Sequence, residues 1–113
     1  MRVTASIFIS ALLRRVFADG GAGAIERRGA EQAGAVFVRV HHRDGAETLL
    51  APAPQSVFDA DAPDDRIFEL RLQRVPGHEV SDLLVRELKF DSDIWIVEIE
   101  TETPQTYLEI LER

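Results

Sequence analysis

The chain has 113 residues, no cysteine, 13 Lys and Arg against 20 Asp and Glu, and a formal net charge of −7. That length suits one domain, residues 1–113, which can bury about two-thirds of its unfolded surface. The lack of cysteine excludes disulfides, thiolate metal sites and cysteine nucleophiles, no apolar run reaches membrane-spanning length, and the acidic balance argues against nucleic acid as a partner.

Thr4 to Ala18 predicts a helix. Ile9, Leu12, Leu13, Val16 and Phe17 recur at helical spacing, Thr4 or Ser6 can cap the start, and Gly20-Gly21 supplies the left-handed residue that ends it. Alternation of Val3, Ala5, Ile7 and Ile9 leaves a short edge strand as the other reading of the first residues. Arg2 before Ala5 to Leu13, with Ala22-Gly23-Ala24 beyond, mimics a signal peptide. Arg14 and Arg15 fall where the approach to cleavage should be uncharged, so a cytoplasmic protein is expected.

Ala24 to Arg28 reads as a brief strand. Val36, Val38 and Val40 alternate with Phe37, Arg39 and His41, and Asp44-Gly45 signals a two-residue hairpin loop. With that loop Val40 faces Leu49 and Val38 faces Ala51. One face is then aliphatic and the other carries Phe37, Arg39, His41, Thr48 and Leu50. Placing Ile25 opposite Val38 sets Glu26 and Arg28 alongside Phe37 and Arg39.

Pro52, Pro54 and the acidic run Asp59 to Asp65 mark a solvated loop. Ile67 to Arg74 resumes strand alternation with Phe68, Leu70 and Leu72 facing one way, and Pro76-Gly77 breaks it. His78 to Lys89 is a second helix on the stripe Val80, Leu83, Leu84 and Leu88. Ile94 to Thr101 is the last strand, with Trp95, Val97 and Ile99 buried and Glu98 and Glu100 wet. Thr103-Pro104 opens a short C-terminal helix carrying Tyr107, Leu108 and Leu111, too short to persist undocked. The expected fold is a single α+β domain in the order α-β-β-β-β-α-β, then that short helix. It has a mostly antiparallel sheet of about five strands with both main helices on one face.

Five blocks of the chain, Ser10-Ala-Leu-Leu-Arg-Arg15, Gly20-Gly-Ala22 with Arg27-Arg28-Gly29, Gly34 to Val40, Ala51-Pro-Ala-Pro-Gln55 and Phe90 to Glu100, together carry a resemblance. In order and spacing they resemble a bacterial family of short proteins catalogued as domain of unknown function number fourteen ninety-one. The resemblance covers almost the whole chain. It implies a stand-alone domain of unassigned function and carries over no catalytic residue, cofactor or substrate. The family pattern favours an aromatic near the second glycine after the first helix, where this chain has Ala22.

Residues 1–45 hold seven Arg against four acids, and residues 46–113 hold five Arg and one Lys against sixteen acids. Arg14, Arg15, Arg27, Arg28 and Arg39, with Phe37, are therefore the candidate binding residues. Guanidinium forks suit phosphate or carboxylate, and Arg28, Phe37 and Arg39 share a face in the registers above. The competing reading pairs these arginines with the protein's own carboxylates or with those of a second copy.

His41-His42 with Glu47 gives only His42 and Glu47 converging, short of a zinc ligand set, so no metal is expected. Asp59, Asp61, Asp64 and Asp65 lack the glycine and glutamate of a calcium loop. No serine sits in a nucleophile elbow. Glu98, Glu100 and Glu102 read as a solvated face that discourages edge pairing. No cofactor is implied. The function expected is a non-enzymatic interaction module that self-associates or binds a protein through the Arg-bearing region or the docked C-terminal segment. The second reading is a binder of a phosphate-bearing ligand or nucleotide on Arg28, Phe37 and Arg39, and a hydrolase built from scattered His, Asp and Glu is the third.

Overall fold

In the computed structural model, which describes residues 3–32, 34–54 and 66–111, the first helix runs Ala5–Ala18 (α1). The Thr4 hydroxyl accepts the Ile7 N–H at 3.4 Å, which makes Thr4 the cap and leaves no edge strand here. Gly20, at φ 81°, ends the helix, and the Gly20 and Gly21 amides donate to Phe17 and Val16 carbonyls at 2.9 Å each.

The strands are β1 (Gly23–Arg27), β2 (Val36–His41), β3 (Glu47–Pro52), β4 (Ile67–Val75), β5 (Trp95–Glu100) and β6 (Glu109–Ile110). They form one sheet in the order β1-β5-β2-β3-β4-β6. β5 lies between β1 and β2, antiparallel to the first and parallel to the second, and β6 runs parallel to β4. The domain is α+β as expected, but its sheet is mixed and has six strands. Insertion of β5 also replaces the expected pairing of Ile25 with Val38, because Ile25 faces Val97.

The second helix, Gly77–Phe90 (α2), does not share a face with α1. Ala5, Ile9, Leu12 and Val16 of α1 pack on Val36, Val38, Val40, Leu50, Trp95, Val97 and Ile99. Val80 and Leu84 of α2 pack on Phe37, Leu49, Ala51, Ile94 and Ile96. The physical reason is the composition of the central strands. β2, β3 and β5 are apolar on both sides, and one layer of helices covers only one side.

The hairpin register differs from the expected one by a single residue. His41 faces Glu47, Val40 faces Thr48, Arg39 faces Leu49 and Val38 faces Leu50. The loop is Arg43-Asp44-Gly45, in which the Gly45 amide donates to the His42 carbonyl at 3.1 Å and the His42 amide to the Ala46 carbonyl at 2.9 Å. Gly45 adopts φ 88°, and Asp44 Oδ1 accepts the Ala46 amide at 3.0 Å. A three-residue loop closed by a left-handed glycine uses the same Asp-Gly signal as the two-residue turn. The slip moves Leu50 beneath α1, and Leu49 and Ala51 beneath α2.

A bulge at Arg71 divides β4. Leu70 pairs with Leu50 and Leu72 with Leu49, so Phe68 and Leu70 face the α1 side and Leu72 the α2 side. The expected C-terminal helix is a single 3-10 turn, Pro104–Thr106, after which the chain straightens into β6. The Leu111 amide donates to the Phe68 carbonyl at 2.7 Å, and sheet hydrogen bonds of this kind displace a helix too short to hold itself. The acidic run Asp59 to Asp65 and Ser56 lie outside the described residues.

Candidate functional site

Arg39 is placed by β2 on the α2 side, where its guanidinium meets four partners. Nε donates to Glu47 Oε1 at 2.5 Å, Nη2 to Ser81 Oγ at 2.9 Å and to the Gly77 carbonyl at 3.1 Å, and Nη1 to Glu26 Oε2 at 3.4 Å. The Arg39 and Glu47 side chains are 13% and 11% exposed, so this pair is largely out of water and binds the start of α2 to the sheet. Burial pushes the Glu26 carboxyl above its ordinary range. Arg39 pulls it down, while a hydrogen bond and the charge of Glu98 push it further up.

The other candidate arginines are dispersed. Arg15 donates to the Tyr107 and Thr106 carbonyls at 3.0 and 2.9 Å and lies 5.6 Å from the Tyr107 ring centre. Tyr107 donates its hydroxyl to Asp19 at 2.6 Å, which with the nearby Asp19 charge holds the phenol above its usual range. Arg27 donates to the Ser92 carbonyl at 3.0 Å. Arg28 lies 5.8 Å from the Trp95 ring centre. Trp95 faces α1 and Phe37 faces α2, so Arg28 does not share a sheet face with Phe37 and Arg39. Arg14 is exposed and has no hydrogen-bond or ion-pair partner among the described residues.

A half-open groove of about 860 Å³ lies between β4 and the C-terminal segment, floored by Leu50, Leu70, Ile110 and Leu111. At one end His42 Nε2 meets Thr48 Oγ1 at 2.7 Å and Nδ1 lies 3.5 Å from Glu102 Oε1. Thr48 Oγ1 also accepts the Arg74 amide at 3.2 Å, so the hydroxyl joins the His42 ring to β4. Glu102 takes the Arg43 amide at 2.7 Å and the Arg74 guanidinium at 2.6 Å, and these contacts hold its carboxyl below the usual range. Arg74 itself sits at φ 46°, a strained backbone for a residue with a side chain. This chain of Thr48, His42, Glu102 and Arg74 was not readable from the sequence, since it depends on the one-residue slip and on the course of the C-terminal segment. The slip also brings His41, rather than His42, to Glu47, at 3.5 Å. No group of three or more His, Asp or Glu suited to a metal exists among the described residues.

The outward face of α1 differs from both. Val3, Ile7 and Phe17 are 41%, 59% and 53% exposed, and Ile7, Ser10, Ala11 and Arg14 border a shallow depression between them. Residues 7, 10, 11, 14 and 18 form one stripe of α1 opposite the buried Ala5, Ile9, Leu12 and Val16, and Val3 precedes the helix. The helix contains no acid. Beside its first turn stands the exposed Glu31, whose carboxylate accepts a hydrogen bond from Ser6 Oγ. No helix among the described residues is long and apolar enough to cross a membrane.

Residues 3–109 match the model of a protein family of unknown function, DUF1491. The chain is similar to protein Atu0922 from A. tumefaciens, solved in solution, at 51% identity and a TM-score of 0.88, with 100% of this chain and 98% of that one covered. It is also similar to a DUF1491 family protein from Caulobacter crescentus CB15. The crystal structure of that protein gives 26% identity and a TM-score of 0.78 over 99% of this chain and 100% of that one. No curated protein matches.

Proposed function

The chain belongs to DUF1491, a family of unknown function, and we propose that it acts as a non-enzymatic interaction module whose contact surface is the outward face of α1. The observation that carries the reading is the exposure of two large apolar side chains on α1 outside its buried stripe. Its inner stripe is buried on the sheet, while Ile7 and Phe17 stand in water with Arg14 between them. A helix needs one apolar stripe to dock on its own sheet, and large apolar side chains exposed beside a basic one on its other side suit contact with another molecule.

The dispersal of the arginines supports the same choice over a phosphate-bearing ligand. Arg15, Arg27 and Arg39 hold the fold together, and Arg14 is left to meet a partner. A photo-crosslinking residue introduced at Ile7 tests the reading in the protein's native cells. Covalent adducts are expected from position 7 and not from Val85, an exposed apolar residue of α2. Adducts from 85 with none from 7 would move the contact surface to the other helix.

A further inference from the structure

The outward stripe of α1 is self-complementary, and resting on the reading above we infer that its occupant is a second copy of this chain, docked with the two α1 helices antiparallel. The stripe is symmetric about the midpoint of Ser10 and Ala11. Reversing one helix about that point sets Ser10 against Ala11 of the copy and Ile7 against Arg14. A surface that maps onto itself under such a reversal is what an isologous two-fold contact requires. Ser10 and Ala11 are short side chains, so the helix axes approach where they cross, and the longer Ile7 and Arg14 flank the crossing on each side.

Charge sets the partner and the direction. The molecule carries −7 overall, so two copies repel across most of their surfaces, whereas α1 holds Arg14 and Arg15 and no acid. In the antiparallel arrangement Arg14 of one copy arrives beside Ile7 and Ser6 of the other. That is where Glu31 is held, through its hydrogen bond from Ser6. The two-fold makes this Arg14–Glu31 pair twice, and a parallel arrangement makes it not at all. The face is about 20 Å long, from Ala5 to Ala18 at roughly 1.5 Å per residue, and about 10 Å wide. Such a footprint is well below the roughly 800 Å² per partner of a stable complex, so the dimer is weak, with a dissociation constant on the order of 100 µM, and salt weakens it further.

Sedimentation of the full chain tests this with charge reversals. Wild type should dimerise with rising concentration. Arg14→Glu alone and Glu31→Arg alone should each weaken the dimer roughly tenfold or more, because each places like charges together twice. Mixed in equal amounts, the two variants regain opposite charges at both contacts and should associate within about threefold of wild type. Ile7→Glu should abolish association without changing the fold, since Ile7 is exposed. A wild type that stays monomeric to about 1 mM overturns the self-pairing while leaving α1 as a surface for a different protein. A dimer indifferent to Ile7→Glu and to both reversals overturns the reading of α1 as well, and a mixture no tighter than its components overturns the antiparallel Arg14–Glu31 arrangement.

Discussion

Replacing Arg39 with methionine keeps the aliphatic stem and removes the guanidinium that joins Glu47, Glu26, Ser81 and the Gly77 carbonyl. Glu47 is then a carboxylate with an 11% exposed side chain that has lost its closest cation. Removing one partner of a largely buried pair costs about 3–5 kcal/mol, against a total stability of about 5–15 kcal/mol for a domain of this kind. At roughly 4 °C per kcal/mol, Arg39→Met should melt about 12–20 °C below wild type. The assays are thermal and urea unfolding followed by the fluorescence of Trp95, the chain's single tryptophan, which is 1% exposed in the folded state. Adding Glu47→Gln to Arg39→Met should recover more than about 1 kcal/mol, because the unpaired charge rather than the missing contact dominates the loss. An Arg39→Met protein within about 1 kcal/mol of wild type would refute the structural role and free Arg39 for a ligand.

Further outcomes follow from the same geometry. Arg15→Ala should release the turn at Pro104–Thr106 and Tyr107, costing about 2 kcal/mol for two charge-assisted bonds and a ring contact, and hydrogen exchange should rise at residues 104–111 ahead of global opening. Gly34→Ala would bring a Cβ to 2.4 Å from the Ala30 carbonyl oxygen and 2.6 Å from Trp95 Cδ1, and should lower stability by about 1–3 kcal/mol with a shifted Trp95 emission. The folded Glu102 carboxyl lies below its unfolded value. Its stabilisation is therefore full above the ordinary 4.5 and is lost as pH falls through the folded value. Glu102→Gln should accordingly melt below wild type at neutral pH and converge with it under acid, and an equal gap at every pH would exclude this ionic role.

Local signals in the chain were legible where one stretch settles its own structure. Thr4, Gly20 and Gly21 mark both ends of α1, Val80, Leu83, Leu84 and Leu88 mark the buried side of α2, and alternation marks β5. What stayed hidden depends on choices between distant segments. Asp44-Gly45 fits two loop lengths, and the difference of one residue decides whether His41 or His42 meets Glu47. The insertion of β5 between β1 and β2 separates Arg28 from Arg39, and no periodicity within a strand encodes its neighbour. Position of the helices was misread for a related reason, since Leu49, Ile94 and Ile96 form a second apolar face only after the sheet is assembled. Of the candidate binding residues, Arg14 was marked by the sequence for its charge alone. The sequence places Phe17 on the apolar stripe of α1 and Ile7 only in the strand alternation, and both stand exposed because the buried stripe is Ala5, Ile9, Leu12 and Val16.

We place the contact surface on α1. The most direct test of that placement is the amide spectrum of isotope-labelled protein, recorded from roughly 20 µM to roughly 1 mM, the range that a small interface demands. Shifts are expected to grow with concentration and to fall on Val3 to Ala18 and on Glu31, with the β4 groove and α2 unmoved. Concentration-dependent shifts confined to α2 or to the groove, or none at any concentration together with no adduct from position 7, would contradict it.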